Sequence, residues 1–291
     1  MKTTATGYVN GEFCDLADAK ISILDRGLLF GDAVYEALRV NNGRLFRVGD
    51  HYARMSNGLK ALGIPVPFSA SQYEAILTEL ARRNGVKSGL VYIQVTHGAA
   101  MRAHVPPKDI APNVFAFIQT SEVPAWPRKY PGGVSVATVE DLRWQRCNIK
   151  TSMLLANTLA KRQAADAGAF EAILVGQDGT VHEGAVSNLF VVIGGSLRTH
   201  PVDGHVLPGV TRNVVLDLAR THGIPAAERA FSKAELFAAE EAFLTGTTAD
   251  VCPVVRVDGK PIGDGRIGPL TARLIKLLAE VLQRETTDDG R

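Results

Sequence analysis

Several residues in this chain could do chemistry, though none sits in a short self-sufficient motif. In "RCNIKTSML" (146–154), Lys150 stands between a polar run and an apolar one, with Ile149, Met153, Leu154 and Leu155 around it. Apolar surroundings disfavour an ammonium, the condition under which an amine turns nucleophilic and forms Schiff bases. A helix dipole also opposes a cation near its N-terminus, by roughly 0.3–1 kcal/mol. Taken alone, Lys150 reads more readily as an ordinary surface lysine near a helix N-terminus. Glu183 closes a strand in "TVHEGAVSNLF". It is either a solvated turn residue or an inward carboxylate, which burial would oblige to find a partner such as a cationic ring nitrogen.

Three further pieces suit a phosphate. Thr211 in "LPGVTRNVV" falls at a helix start, where backbone N–H groups and the dipole favour an anion, although threonine there is commonly a plain N-cap. "TGTTAD" (245–250) offers hydroxyls and amides at a strand end. Arg54 flanks the apolar stripe of its helix and could add a two-pronged contact. In "MRAHVPP", Arg102 and His104 are two residues apart, so an extended segment projects both to one side, where they could receive a carboxylate. A solvated loop would look the same. The chain has no Walker-type loop, GxGxxG, HExxH or GxSxG.

The elements that must position these residues read as mixed α and β. "AVYEALRV", Asn42-Gly43 and "RLFRV" form a hairpin signal, because both turn residues tolerate the positive φ of a type I′ turn. Helices follow over "DHYARMSNGLKALGI" and "SQYEAILTELARRNGV". The strands "GLVYIQVTHG" and "NVFAFIQT" enclose an irregular stretch, and a loop of that length is either functional or disordered. Pro124, Pro127 and Pro131 lie close together in "SEVPAWPRKYPGG", a density that interrupts helix and sheet. The expected organisation is therefore a small N-terminal α/β domain over 1–120, a linker over 121–133 and a larger C-terminal domain over 134–291.

In the larger part we expect a strand in "GVSVATVEDLRW" and a helix from about Ser152 to Ala167. Hairpins should turn at Asp178-Gly179 and Gly194-Gly195. Two more helices are expected over about Thr211–His222 and Pro269–Arg284, before a frayed polar tail.

A chain of 291 residues with 46% hydrophobic and 21% charged residues can bury a full core without staples. A net charge of +2 argues against nucleic acid or an anionic membrane as partner. Cys14, Cys147 and Cys252 show neither disulfide nor metal-ligand spacing, which suits a reducing cytoplasm. No apolar run approaches membrane-spanning length and the N-terminus lacks a signal-peptide core, so a soluble intracellular protein is expected.

Taken in chain order, "LDRGLLFGDAVYEALRV", "VTHGAAMRAH", "EDLRWQRCNIKT", "EGAVSNLF", "LPGVTRNVV" and "TGTTAD" resemble the class IV, fold-type IV pyridoxal phosphate (PLP) enzymes, and among them the D-amino acid aminotransferase branch. The resemblance continues to "VVRVDGKPIGDG" and so covers nearly the whole chain. It implies two domains, the larger a pseudo-barrel, and PLP as cofactor. Lys150 matches the Schiff-base lysine and proton shuttle, and Glu183 the acid facing the pyridine nitrogen. Arg54, Val210, Thr211, Gly246 and Thr247 match the phosphate cup, and Leu207 the apolar residue against the ring. Tyr35 matches a carboxylate-binding tyrosine, completed by Arg102 and His104 from the facing subunit of a homodimer.

The implied reaction carries the amino group of a D-amino acid, D-alanine first, to a 2-oxo acid such as 2-oxoglutarate by a ping-pong route. Branched-chain or (R)-amine transaminases and aminodeoxychorismate lyases share the scaffold and are the alternatives. Ala185, Val186 and Gly246 stand where relatives often carry serine, which leaves Ser187, Thr247 and backbone amides to hold the phosphate.

Overall fold

The computed structural model describes residues 5–120 and 123–287. Ser121 and Glu122 of the expected linker, and the last four residues of the expected tail, lie outside the described residues. The chain gathers into two compact units. The first comprises Met1–Val123, Ile149–Met153 and Arg284–Arg291, and the second Pro124–Asn148 and Leu154–Gln283.

The first unit contains β1 (Thr6–Val9), β2 (Glu12–Asp15), α1 (Arg26–Phe30), β3 (Ala33–Asn41), β4 (Arg44–Leu45), α2 (Val48–Leu62), α3 (Ala70–Arg83), β5 (Ser88–Thr96) and β6 (Asn113–Gln119). Its strands form an antiparallel sheet in the order β2-β1-β6-β5-β3-β4. Alternation along β3 turns Val34, Leu38 and Val40 inward, where they join Met55 and Leu59 of α2 and Tyr73, Leu77 and Leu80 of α3. Each fully buried side chain of this kind contributes about 1.5–3 kcal/mol. Glu36 occupies the same inward phase, a carboxylate inside an apolar row.

The Asn42-Gly43 turn has φ of 52° and 78°, as its sequence requires. The expected strand "RLFRV" shrinks to two residues, because Arg47 turns left-handed and α2 begins at Val48. Helix α3 opens with a reciprocal capping box between Ser69 and Gln72.

The second unit begins with α4 (Trp126–Lys129), β7 (Val134–Glu140), α5 (Leu155–Asp166), β8 (Glu171–Val175), β9 (Thr180–Gly184), β10 (Asn188–Ile193) and β11 (Ser196–Thr199). It continues with α6 (Val210–Thr221), β12 (Ala226–Glu228), β13 (Phe231–Ser232), α7 (Lys233–Phe237), β14 (Glu241–Gly246), β15 (Asp250–Val257), β16 (Lys260–Pro261) and α8 (Pro269–Thr286), whose residues from Arg284 onward count with the first unit. Its mixed sheet runs β12-β11-β10-β14-β15-β7-β8-β9-β13, with β16 paired to β15. Only β11/β12, β15/β7 and β7/β8 are parallel among the described pairs.

Three expectations change. The proline-rich stretch includes a helical turn, α4, because Pro127 falls at the start of the turn, where its missing N–H does no harm. Trp126 is buried and its Nε1–H donates to the Ala249 carbonyl at 2.9 Å. Helix α5 starts at Leu155 rather than Ser152, and Met153 and Leu155 are exposed rather than gathered around Lys150. Helix α8 runs on through Glu285 and Thr286, which accept from Arg47 Nη2 at 2.8 Å and Asn41 Nδ2 at 2.7 Å, so the tail is anchored there instead of frayed. No helix among the described residues is long and apolar enough to cross a membrane.

Candidate active site

The segment Ile149–Met153 belongs to the first unit because it pairs with the start of β3. Thr151 bridges Val34, Tyr35 N–H donates to the Lys150 carbonyl at 3.0 Å, and Thr151 Oγ1 donates to the Gly31 carbonyl at 2.9 Å. Gly31 makes the approach possible. Its φ is 69°, and a Cβ there would lie 2.9 Å from Met153 Cβ.

The pairing delivers Lys150 Nζ to Tyr35, 3.3 Å from the hydroxyl and 4.4 Å from the ring centroid. Tyr35 stacks on Tyr92 at 5.3 Å, and Tyr92 stacks on Phe117 at 4.9 Å while donating to Gln94 Oε1. The amine therefore rests against a ring that the sheet already holds in place.

Glu36 lies next along β3 and on its opposite face. Arg54 donates to both carboxylate oxygens, from Nε and from Nη2 at 2.7 Å each, and His51 Nδ1 stands 2.7 Å from Oε2. Burial pushes this carboxyl up, but Arg54 and His51 outweigh it and hold Glu36 down at about 2. Burial likewise drives the His51 imidazole below its ordinary value, against the pull of Glu36. The arginine expected at the phosphate is thus fixed by a fork to a buried anion.

Arg102 and His104 form another cluster in the same unit. Both are exposed and both meet the Phe30 ring, at 5.2 Å and 5.7 Å from its centroid.

In the second unit Glu183 is 4% exposed at the end of β9. It accepts from Arg143 Nη1 at 2.5 Å, Asn188 Nδ2 at 2.7 Å and the Leu207 N–H at 3.1 Å. Arg143 spends its Nε and Nη2 on Asp141, each at 2.9 Å, and Asp141 also meets His182 Nδ1 at 2.8 Å. Burial pushes the Glu183 carboxyl up, Arg143 and the Leu207 N–H pull it back, and the Asp141 charge adds to the rise. It settles at about 7. Burial pushes Asp141 up as well, yet His182 and Arg143 prevail and keep it far below the carboxylate range.

Asn188 joins the rest. Its Nδ2 also donates to the Leu207 carbonyl at 2.9 Å, and a Cβ on Gly209 would collide with its Oδ1, so a glycine lets α6 start here. Gly209 caps α6 without a side-chain bond, and Val210 and Thr211 are buried in its first turn. Across the β10/β14 register Asn188 faces Thr245, whose buried Oγ1 has no hydrogen-bond partner among the described residues, and Gly246 and Thr247 follow at the strand end. Glu183, Leu207, Gly209 and Thr245 are thus each tied to one asparagine. Ser187 Oγ donates to Glu171 Oε2 at 3.3 Å, while Ala185 is buried and Val186 exposed.

Sequence reasoning missed Glu36, His51, Asp141, Arg143 and Asn188. For Glu36 a signal existed, since it falls in phase with Val34, Leu38 and Val40. Asp141, Arg143 and Asn188 lay inside motifs already singled out, but their partners are on other elements.

The family model described as amino-transferase class IV matches residues 33–257. D-alanine aminotransferase of Bacillus licheniformis is 40% identical over 277 residues, covering 95% of this chain and 97% of that protein. The enzyme of the same name from Staphylococcus aureus (strain MSSA476) is 38% identical over 268 residues, with 92% and 94% covered. Among solved structures, the Escherichia coli branched-chain amino acid aminotransferase has a TM-score of 0.92 at 27% identity, covering 99% of this chain and 98% of that one. The T.th. branched-chain amino acid aminotransferase, solved with pyridoxamine 5′-phosphate, has a TM-score of 0.91 at 28% identity, covering 99% and 96%.

Proposed function

The chain belongs to the class IV aminotransferases, PLP enzymes of fold type IV, and we propose that within this family it moves the amino group of a D-amino acid, D-alanine foremost, to a 2-oxo acid such as 2-oxoglutarate. The observation that carries the D-amino acid reading is the loop that brings Arg102 and His104 onto Phe30, an arginine and a histidine side by side that would receive a carboxylate together. Whole-length likeness to proteins named D-alanine aminotransferase supports it.

The residues present fit the cofactor. Glu183, pushed up to about 7, is a buried carboxyl that a cationic ring nitrogen would hold ionised. The side-chain-free N-cap of α6 leaves backbone N–H groups for a phosphate, with Val210, Thr211, Gly246 and Thr247 to line the cup. Arg54, oriented by Glu36, would supply the phosphate with a cation, and Leu207 would lie against the ring.

PLP supplies an aldehyde for an amine and a conjugated ring that draws electrons from the substrate Cα. The chain supplies the rest. Lys150 presents its amine to the aldehyde. The same amine would take the Cα proton as general base and deliver it, as general acid, to the carbon that was the aldehyde. Tyr35, 3.3 Å from Nζ, orients that amine and offers a hydroxyl to the substrate carboxylate. The oxo acid product leaves before the acceptor enters, which gives ping-pong kinetics.

In this reading residues 1–120 and 134–291 are the two domains, joined through 121–133, and the enzyme is a cytoplasmic homodimer. Arg102 and His104 then serve the facing subunit. Three unpaired cysteines suit that compartment.

The branched-chain reading draws on the structural likeness. Assays with D-alanine, L-leucine and (R)-1-phenylethylamine against 2-oxoglutarate or pyruvate decide between them. D-alanine should be preferred; a preference for L-leucine overturns the proposal.

A further inference from the structure

The 98–111 loop carries Arg102 and His104 on exposed positions, so something other than their own burial must fix them. Its neck is closed. Gly98 has φ of 101°, and a Cβ there would run into the Ala111 carbonyl. One flank is tied to the segment before α1: Arg26 N–H donates to the Gly98 carbonyl at 2.8 Å, Ala100 N–H to the Leu24 carbonyl at 3.3 Å, and Asp25 bridges Ala99.

Arg26 of α1 holds the tip. Arg26 is 4% exposed and donates from Nη1 to the Ala103 carbonyl at 2.6 Å and from Nη2 to the His104 carbonyl at 2.9 Å. Its Nε goes to Asp32 Oδ2 at 2.9 Å, and His97 Nδ1 stands 2.9 Å from the same oxygen. The guanidinium also lies 4.8 Å from the centroid of Phe30, the ring that carries Arg102 and His104. A fork spent on two consecutive loop carbonyls, with its charge matched by Asp32, fixes the backbone on either side of residue 104.

We propose that Arg26 is the positioning residue of this loop: through the Ala103 and His104 carbonyls and the Phe30 ring, it sets Arg102 and His104 in the array that receives the substrate carboxylate. The proposal rests on the D-amino acid reading above. A lysine at 26 keeps the charge but cannot hold two carbonyls and Asp32 in one plane.

The test uses the holoenzyme with D-alanine and 2-oxoglutarate. Arg26→Met and Arg26→Lys should each raise both KM values roughly tenfold, as a loop that is competent a tenth of the time would, with kcat changed less than about twofold. Trypsin should cut after Arg102 faster in both variants and in Phe30→Leu. Phe30→Leu, at a half-buried position that leaves the Arg26 bonds intact, should raise KM roughly threefold. In an Arg102→Ala background the loss from Arg26→Met should shrink, because Arg26 acts through its neighbour.

Unchanged KM and unchanged trypsin cleavage in Phe30→Leu, or full additivity with Arg102→Ala, overturns the proposal. If Arg102→Ala raises KM and Arg26→Met does not, the proposal alone fails. If Arg102→Ala leaves KM unchanged, the carboxylate reading fails and takes the proposal with it.

Discussion

Glu36 and Glu183 are both buried, both bonded to an arginine, and opposite in charge behaviour. Glu36 has Arg54 on both oxygens with His51 beside them, and it is held at about 2. Glu183 receives a single N–H from Arg143, whose other forks face Asp141, and it rises to about 7. Burial is similar for the two, so burial does not decide. What the neighbours give does: two arginine N–H groups, one to each oxygen, with His51 beside them, make a fixed anion. A single one leaves a carboxyl that titrates close to neutral pH, ready to answer a cation. The first behaviour suits a brace for Arg54, the second a group that faces a ring nitrogen.

Glu36→Gln should break this contrast most severely. It removes the charge that faces Arg54 in the core, and removing one partner of a buried pair costs about 3–5 kcal/mol. Urea unfolding of the apoenzyme would read the loss. Glu183→Gln should spare stability far more, since Arg143 keeps both Asp141 bonds, but lower kcat by about 10²–10³-fold in single-turnover half-reactions.

The pH dependence of the same variant gives the sign. A carboxyl raised from 4.5 to about 7 holds its proton longer when folded, so its contribution is fully present below 4.5 and is lost as pH climbs through 7. Apo Glu183→Gln should therefore gain about 3 kcal/mol on the wild type over that window. Buried His51 and His200, whose depressed values act in the opposite sense, cancel in the difference. The smallest effect is a sharpening one. Asp141→Asn should return Arg143 toward Glu183 and lower its titration by about one pH unit, worth about 1.4 kcal/mol, which narrows the window in the same unfolding series.

The residues of the proposed site could be named from the sequence because they sit in motifs whose spacing survives in any sequence. Lys150, Glu183, Thr211 and the 245–250 stretch could be named before any element was placed. Their partners could not. Glu36 meets residues 15 and 18 positions away across a strand and a helix, and Glu183 meets Arg143 at a distance of 40 residues. Periodicity tells which face a side chain takes and not what waits there. Hairpin turns were readable for a local reason, since Asn42-Gly43 and Gly194-Gly195 adopt the positive φ their types allow. The helical turn at Trp126 was not, because Pro127 starts the turn instead of interrupting it and the tryptophan's partner, Ala249, is far along the chain.

The closed neck at Gly98 bears on how such an enzyme can diverge. Strands β5 and β6 stay in register up to Thr96–Asn113, and the loop departs only beyond that pair. A segment whose two ends already touch can be lengthened, shortened or replaced without straining the ladder beneath it, because the closure entropy changes only slowly with length. The residues proposed to meet the substrate would thus form an exchangeable cassette on a sheet that need not change, and new amine preferences could be tried on it while the lysine and its tyrosine stay where they are.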